Sequence, residues 1–411
     1  MGKFTAHRDP AIDRTVEAHL ARIVAAIRRY LEPQAIILHG SFGRGEGSVM
    51  RQGRQLRFFS DYEIAVVTPS PWYRGRFAAL SRQLTEELGV EVSIAWMRPG
   101  RLRTNQPQNL SLGRAAPTIH MYEIKAGGQT IYGPDLLRQG EILDPRRIPP
   151  RAGIRLLFNR LIEALPYFPA ADPDPPPDPG ETIRWLNKLI LACAESLLLL
   201  WGEYHFSYAE RGRRFSALSA RYLATLPPGA AGLPALVERA TEFKLRPAWD
   251  LYPADDEALW PPVLAAADAV FRHLMAQELE ITFDTYAEFP AQFLHHPHVQ
   301  AAYNLYRLPP LPAPLDQKLV NAIKYLRRHR LPPRGYWTHP LVTANLVVFA
   351  LIPLLALGWS AEEAALTTTN AEARRWLTLI GLRRPPRSDP QAEWQALYRD
   401  LRDAWVNFCY N

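Results

Sequence analysis

With 411 residues, 47% of them hydrophobic and 22% charged, the chain has the composition of an ordinary globular protein. It is too long for one typical core, which predicts two or three domains. The net charge of +7 and a pI near 9.4 favour anionic partners such as nucleotides or nucleic acid, while two cysteines, Cys193 and Cys409, exclude a disulfide framework and a zinc spacing and make a reducing cytosol the expected setting.

The N-terminus is polar, shows no signal-peptide pattern and leads into a helix predicted over 11–31, where Ile12, Val16, Leu20, Ile23, Val24 and Ile27 form one apolar stripe. Next comes the apolar run Ala35 to Leu38, a turn at Gly40-Ser41, a glycine-rich loop, and a second apolar run carrying Asp61 and Glu63. Alternate side chains of a strand share a face, so Asp61 and Glu63 sit together, roughly 6 to 7 Å apart. Two carboxylates so close repel unless a cation lies between them. Oxygen donors in this number suit Mg²⁺, and a pair of ions roughly 3.5 to 4 Å apart would serve both oxygens of an in-line phosphoryl displacement. Gly40 permits the turn, Ser41 offers a hydroxyl and an N–H to phosphate, and Arg44 offers a planar fork.

Gly40-Ser41, Arg44-Gly45-Glu46 and Ser60-Asp61-Tyr62-Glu63-Ile64 together resemble the signature of the DNA polymerase β-like nucleotidyltransferase superfamily, closest in form to its bacterial minimal and kanamycin-nucleotidyltransferase branch. The second acid is Glu63 where Asp is commoner. The gap from Ser41 to Asp61 is longer than usual, with the surplus in the basic, polar segment Met50 to Arg57. The resemblance implies an α+β fold, a catalytic domain over 1–149 followed by all-helical parts, and Mg²⁺-dependent transfer of a nucleoside monophosphate from an NTP to an acceptor hydroxyl with release of pyrophosphate. Asp61 and Glu63 would be metal ligands, and Gly40, Ser41 and Arg44 would hold the triphosphate.

A helix is predicted over 72–88, stopped by Gly89, then an alternating strand, VEVSIAWM, that offers Glu91. By position Glu91 is the expected third metal ligand, or the base that receives the acceptor's proton. Glu123 is the rival for that role. The runs 118–125 and 129–132 flank Ala126-Gly127-Gly128 and read as a hairpin, which resembles the strand pair that closes the sheet in nucleotidyltransferases.

A helix follows over 152–165, then a proline-rich insertion, 166–180, that reads as extended. In the apolar helix 181–201, Glu181, Lys188 and Glu195 recur every seven residues and share a face. The resemblance implies that this helical unit, 150–304, lines the nucleotide cleft, with Lys188 on a phosphate and Glu195, Tyr204 and Tyr208 facing the acceptor. A small-molecule acceptor is expected first; the positive charge leaves RNA or protein as the alternative, and a nucleotide-binding module without turnover as a third reading. Further helices are predicted over 215–226, 233–243 and 262–279. The prolines at 309, 310, 312 and 314 mark a last helical unit, 305–411, that opens on a basic helix running to Arg330. Within it, 341–359 carries no charge but contains Pro353, which predicts a buried hairpin or kinked core helix in place of a membrane span.

Overall fold

The computed structural model describes residues 2–409 apart from 8, 54, 105–117, 140–142, 172–177, 227, 253–256, 300–314, 329–330 and 340–342. Among the described residues the chain is α+β. Six strands lie within 35–132, and the regular elements from 145 onward are helical.

The first helix, α1 (Pro10–Arg28), starts where its sequence says it should, with Pro10 at the first position and the Asp9 carboxylate accepting from the Ala11 N–H. Then come β1 (Ala35–His39), the one-turn α2 (Gly40–Gly43), β2 (Val49–Gln52), β3 (Gln55–Phe58), β4 (Tyr62–Val67), α3 (Arg74–Leu88), β5 (Val92–Met97), α4 (Pro99–Thr104), α5 (Ile119–Gly127) and β6 (Gln129–Tyr132). β2 and β3 pair as a separate hairpin, so the surplus between Ser41 and Asp61 is folded structure, turning at Gly53 with φ +61°. The main sheet has the order β5-β4-β1-β6, with β4 and β5 parallel and the other pairs antiparallel.

Alternation along these strands decides what faces what. Ile36, Leu38, Tyr62, Ile64 and Val66 pack against α1 and α3 on one face. Ala35, Ile37, Ala65, Val67 and Met97 pack on the other against α5, Leu199 and Tyr204. Asp61 and Glu63 keep the register of Ala65 and Val67, so they lie on the face turned toward the helical remainder.

The expected strand over 118–125 is wrong: the segment is helix α5, and only 129–132 is a strand, paired with β1. Alternating residues there also satisfy helical spacing, since Met121, Tyr122, Ile124 and Lys125 are buried together, and the Thr118 hydroxyl caps the helix by accepting from the Met121 N–H.

The helical remainder comprises α6 (Arg151–Ala164), α7 (Pro179–Leu200), α8 (Tyr208–Tyr222), α9 (Leu233–Leu245), α10 (Trp260–Leu279), α11 (Phe289–His295), α12 (Leu315–Leu326), α13 (Arg334–Thr338), α14 (Ala344–Leu357), α15 (Glu363–Leu379) and α16 (Pro390–Phe408). α7 is apolar nearly all round and is buried at the centre. α6 packs along it so closely that Gly153 lies opposite Ser196, whose hydroxyl donates to the Gly153 carbonyl at 2.9 Å. Part of the proline-rich insertion belongs to this core, contrary to an extended linker: Phe168 sits edge-on to Trp260 and Trp359. Residues 172–177 of that insertion lie outside the described residues.

One buried cluster takes in Met50 and Phe59 and then runs from Ile154 to Cys409, so α14 and α16 share a core with α6 and α7. α14 is buried along most of its length with Pro353 inside it, as a kinked core helix should be. No helix among the described residues is long and apolar enough to cross a membrane. The basic helix α12 turns part of its charge inward: Lys318 donates to the Tyr336 carbonyl at 3.0 Å, and Lys324 to that of Phe408 at 3.3 Å.

Candidate active site

A cavity of ≈ 770 Å³ opens between the sheet face that carries Asp61 and Glu63 and the helices α6, α7 and α9. Its floor begins at the end of β1. Gly40 has φ +64°, and a Cβ there would lie 1.6 Å from Glu63 Oε2. The turn therefore needs glycine twice over, for its backbone angle and for the carboxylate beside it. Ser41, on the following turn, lines the cavity.

Burial raises the Glu63 carboxyl to about 7, and the neighbouring Asp61 adds to the rise. His39 Nδ1 stands 3.8 Å from Glu63 Oε1, and the His39 ring packs edge-on against His120 at 5.3 Å. Burial holds both imidazoles below their usual range. Opposite, Lys244 on α9 reaches across from the helical remainder and donates to Ser60 Oγ at 3.1 Å, one residue from Asp61. Burial lowers this lysine to about 8.

Glu91 precedes β5, and its carbonyl accepts from the Tyr62 N–H, which places it next to Asp61 across the parallel pair. Its side chain is 65% exposed and lies 3.8 Å from Arg184. Among the described residues no group of three or more His, Cys, Asp and Glu side chains forms a ready metal cluster, so Glu91 does not close a three-carboxylate set with Asp61 and Glu63. Two carboxylates whose charge lacks a full counter-charge still fit Mg²⁺, which takes one or two from the protein and fills its remaining positions with water and substrate phosphate.

Arg44 lines the cavity but is engaged from behind. Its guanidinium lies 3.2 Å from Glu123 and 3.6 Å from Glu46, beneath the Tyr208 ring. Glu123 joins the same buried network: burial would raise its carboxyl, but Arg44 and Arg211 hold it at about 2. Tyr204 donates to Glu123 at 2.7 Å, and Arg211 bridges Glu123 at 3.1 Å and Glu195 at 3.0 Å. Glu195, Tyr204 and Tyr208 do line the cavity, while their polar contacts run to this network.

Lys188 stands differently. It projects from the middle of α7 over the Trp185 ring, 4.0 Å from its centre, and burial together with Arg160 and Arg184 lowers it to about 7. Glu181, at the helix start, pairs with Arg184 at 3.2 Å. The remaining wall is one face of α6, with Arg151, Arg155, Asn159, Arg160 and Glu163. Its signal was legible as a polar i, i+4 stripe, Arg151, Arg155, Asn159 and Glu163, on an otherwise apolar helix. Nothing local pointed to Lys244 or Arg211, which meet the sheet residues only through the fold. No family model, curated protein or solved structure matches this chain.

Proposed function

We propose that the protein is a Mg²⁺-dependent nucleotidyltransferase that moves a nucleoside monophosphate from an NTP to a hydroxyl on a small acceptor. The carrying observation is the Asp61–Glu63 pair on the cavity floor, with the Glu63 carboxylate lying where a side chain at Gly40 would be. The residues of 1–149 would form the catalytic unit and those from 150 onward the lid and outer wall.

Asp61 and Glu63 would hold the metal. Mg²⁺, as one ion or two, would supply charge neutralisation at the reacting phosphates. Ser41 would offer its hydroxyl to a phosphate oxygen, and Lys188, Arg184 and Lys244, which line the same cavity, would neutralise the triphosphate. A polyanion there restores full charge to a lysine that burial has brought to about 7. Arg44 acts through others, fixing Glu123 and the loop that carries Ser41. Glu91, beside Asp61 at the cavity mouth, is the group we assign to take the acceptor's proton. Glu123, held at about 2 by two arginines, is too weak a base for it. Positioning and charge neutralisation account for the rate.

The test is Asp61→Asn, assayed by release of label from α-labelled NTP with Mg²⁺. Turnover is expected to fall at least 1,000-fold, on the order of 4 kcal/mol, with thermal stability unchanged or raised because one of two repelling carboxylates is gone. Retained turnover removes Asp61 from the mechanism. A second reading, a nucleotide-binding module without turnover, draws on the missing third carboxylate. It predicts Mg²⁺-dependent NTP binding by the wild-type chain with no label moved to any acceptor.

A further inference from the structure

Beyond Asp61 and Glu63 the cavity is lined by two cationic groups. Arg184 and Lys188 on α7 with Lys244 on α9 make one end, and Arg151 and Arg155 at the start of α6, beside Thr118 and His120 at the start of α5, make the other. The Ser196–Gly153 contact sets the start of α6 beside the last turns of α7. Lys188 and Ser196 are eight residues apart on that helix, so the two ends are separated by roughly 12 Å at 1.5 Å per residue.

The carboxylates that line the cavity beyond the central pair are already matched. Glu91 faces Arg184, Glu163 faces Arg160, Glu195 faces Arg211, and Glu123 faces both Arg44 and Arg211. Two of the cations have no acid so close: Lys188 has the Trp185 ring and no carboxylate within 4 Å, and Arg151 feels the Glu278 carboxylate only at longer range. A single triphosphate neutralises one end. An acceptor with amino groups would then bring positive charge against arginine at the other, with no spare carboxylate to receive it, and like charges brought together in a partly closed site select against that partner.

We infer that the acceptor is itself an anion: a small hydroxyl compound carrying a phosphate or a carboxylate, with that group on Arg151 and Arg155 and its hydroxyl turned toward the Asp61–Glu63 pair. This rests on the nucleotidyl-transfer reading of the same site. In the step, a bond forms between the acceptor oxygen and the α-phosphorus as the bond from that phosphorus to its bridging oxygen breaks. The broken bond's electron pair leaves with pyrophosphate, and the hydroxyl proton passes to the Glu91 carboxylate.

The experiment incubates the full chain with Mg²⁺ and α-labelled NTPs against a polar metabolite extract divided by anion exchange into an anionic fraction and a neutral-plus-cationic one. Glycerol, glycerol 3-phosphate, glycerate and kanamycin serve as defined probes, the two charged glycerol derivatives separating phosphate from carboxylate preference. Label is expected in the anionic fraction, at least tenfold above the other. Arg151→Ala and Arg155→Ala are each expected to raise the KM for that fraction at least tenfold while the KM for NTP stays within twofold. Label in the neutral-plus-cationic fraction, on glycerol, on kanamycin, on RNA or on protein overturns the anionic small acceptor and leaves the transferase standing. A rise in the NTP KM with the acceptor KM unmoved, or no change in either, overturns the placement on α6. No label in any fraction, with MgNTP still retained in equilibrium dialysis, removes the transferase reading and the inference with it.

Discussion

A methyl group on residue 40 cannot coexist with the Glu63 carboxylate as it stands, because the two would lie 1.6 Å apart and the backbone there already has φ +64°. Gly40→Ala is therefore expected to act in two ways. It strains the turn, at about 1–3 kcal/mol of stability, and it displaces one of the two central carboxylates by the better part of an ångström, which costs activity about 100-fold. Gly75 provides the control. It opens α3 with nothing near its missing Cβ, so Gly75→Ala should leave activity alone and hold or raise the urea midpoint. Equal losses in the two variants would mean that Glu63 is not what makes position 40 special. At this scale the sequence was most informative: the Gly40-Ser41 turn and the Asp61-x-Glu63 alternation are local patterns, and strand geometry alone puts both acids on one face. The partner of Gly40 was not legible, since it lies twenty-three residues away across an antiparallel pair whose register, His39 against Glu63, exists only once the sheet has formed.

Between elements, the most consequential contact is one that a phosphate-loop reading of Arg44-Gly45-Glu46 leaves out. Glu46 is buried and serves as the cap of α8, accepting from Ser207 Oγ at 2.7 Å and from the N–H groups of Tyr208 and Ala209 at 2.8 and 3.1 Å. The start of α8 has its own acceptor in Ser207, whose Oγ takes the Glu210 N–H at 3.2 Å, and Glu46, 162 residues before Tyr208, adds a second. Removing it leaves two N–H groups and a hydroxyl without their acceptor and takes one acid from beside Arg44, so Glu46→Ala should cost about 2–4 kcal/mol. Urea unfolding measures this directly, and a loss under 0.5 kcal/mol would show that water replaces the cap at no cost. Helix α5 failed to be read for a related reason. Thr-Ile-His-Met-Tyr-Glu-Ile-Lys alternates as a strand does, but the buried positions Met121, Tyr122, Ile124 and Lys125 satisfy a helix equally well. Periodicity over eight residues does not choose between them; packing of that face on β1 does. α7, long and apolar, was legible at once, whereas the segment of α14 read equally as a buried hairpin or a kinked helix, and the structure makes it a helix.

Across the whole molecule the sheet and the helical remainder meet through a buried ionic chain, Arg44–Glu123–Arg211–Glu195, tied in by the Tyr204 hydroxyl. Its members come from four elements spread between Arg44 and Arg211, so no local reading finds it, and its pH behaviour belongs to the assembled protein. Burial raises Glu123, but the two arginines more than offset this and hold its carboxyl at about 2, below the ordinary 4.5. A carboxyl depressed in the folded state binds fewer protons there than in the unfolded chain, so its contribution is complete above about 4.5 and is lost as the pH falls toward 2. The size is on the order of 3 kcal/mol. Glu195 works the other way and in a higher window: burial raises its carboxyl above the ordinary 4.5 despite Arg211, so its protonation adds stability as the pH falls toward 4.5 and is complete before the loss from Glu123 sets in. The expected result is a melting temperature that drops steeply between pH 4.5 and 2 in the wild-type chain. Glu123→Gln should be less stable at pH 7, where it leaves Arg44 and Arg211 short of an acid, and should show a much shallower drop in that window. Curves that stay parallel from pH 7 to pH 2 would place the acid-labile contact elsewhere. Because Glu123 lines the cavity as well as the interface, the same titration, followed by MgNTP binding, reports whether the cleft loses its ligand before or together with the fold. Loss of both at one midpoint is expected, since the arginines that hold Glu123 also hold the loop of Ser41 against the helices that form the outer wall.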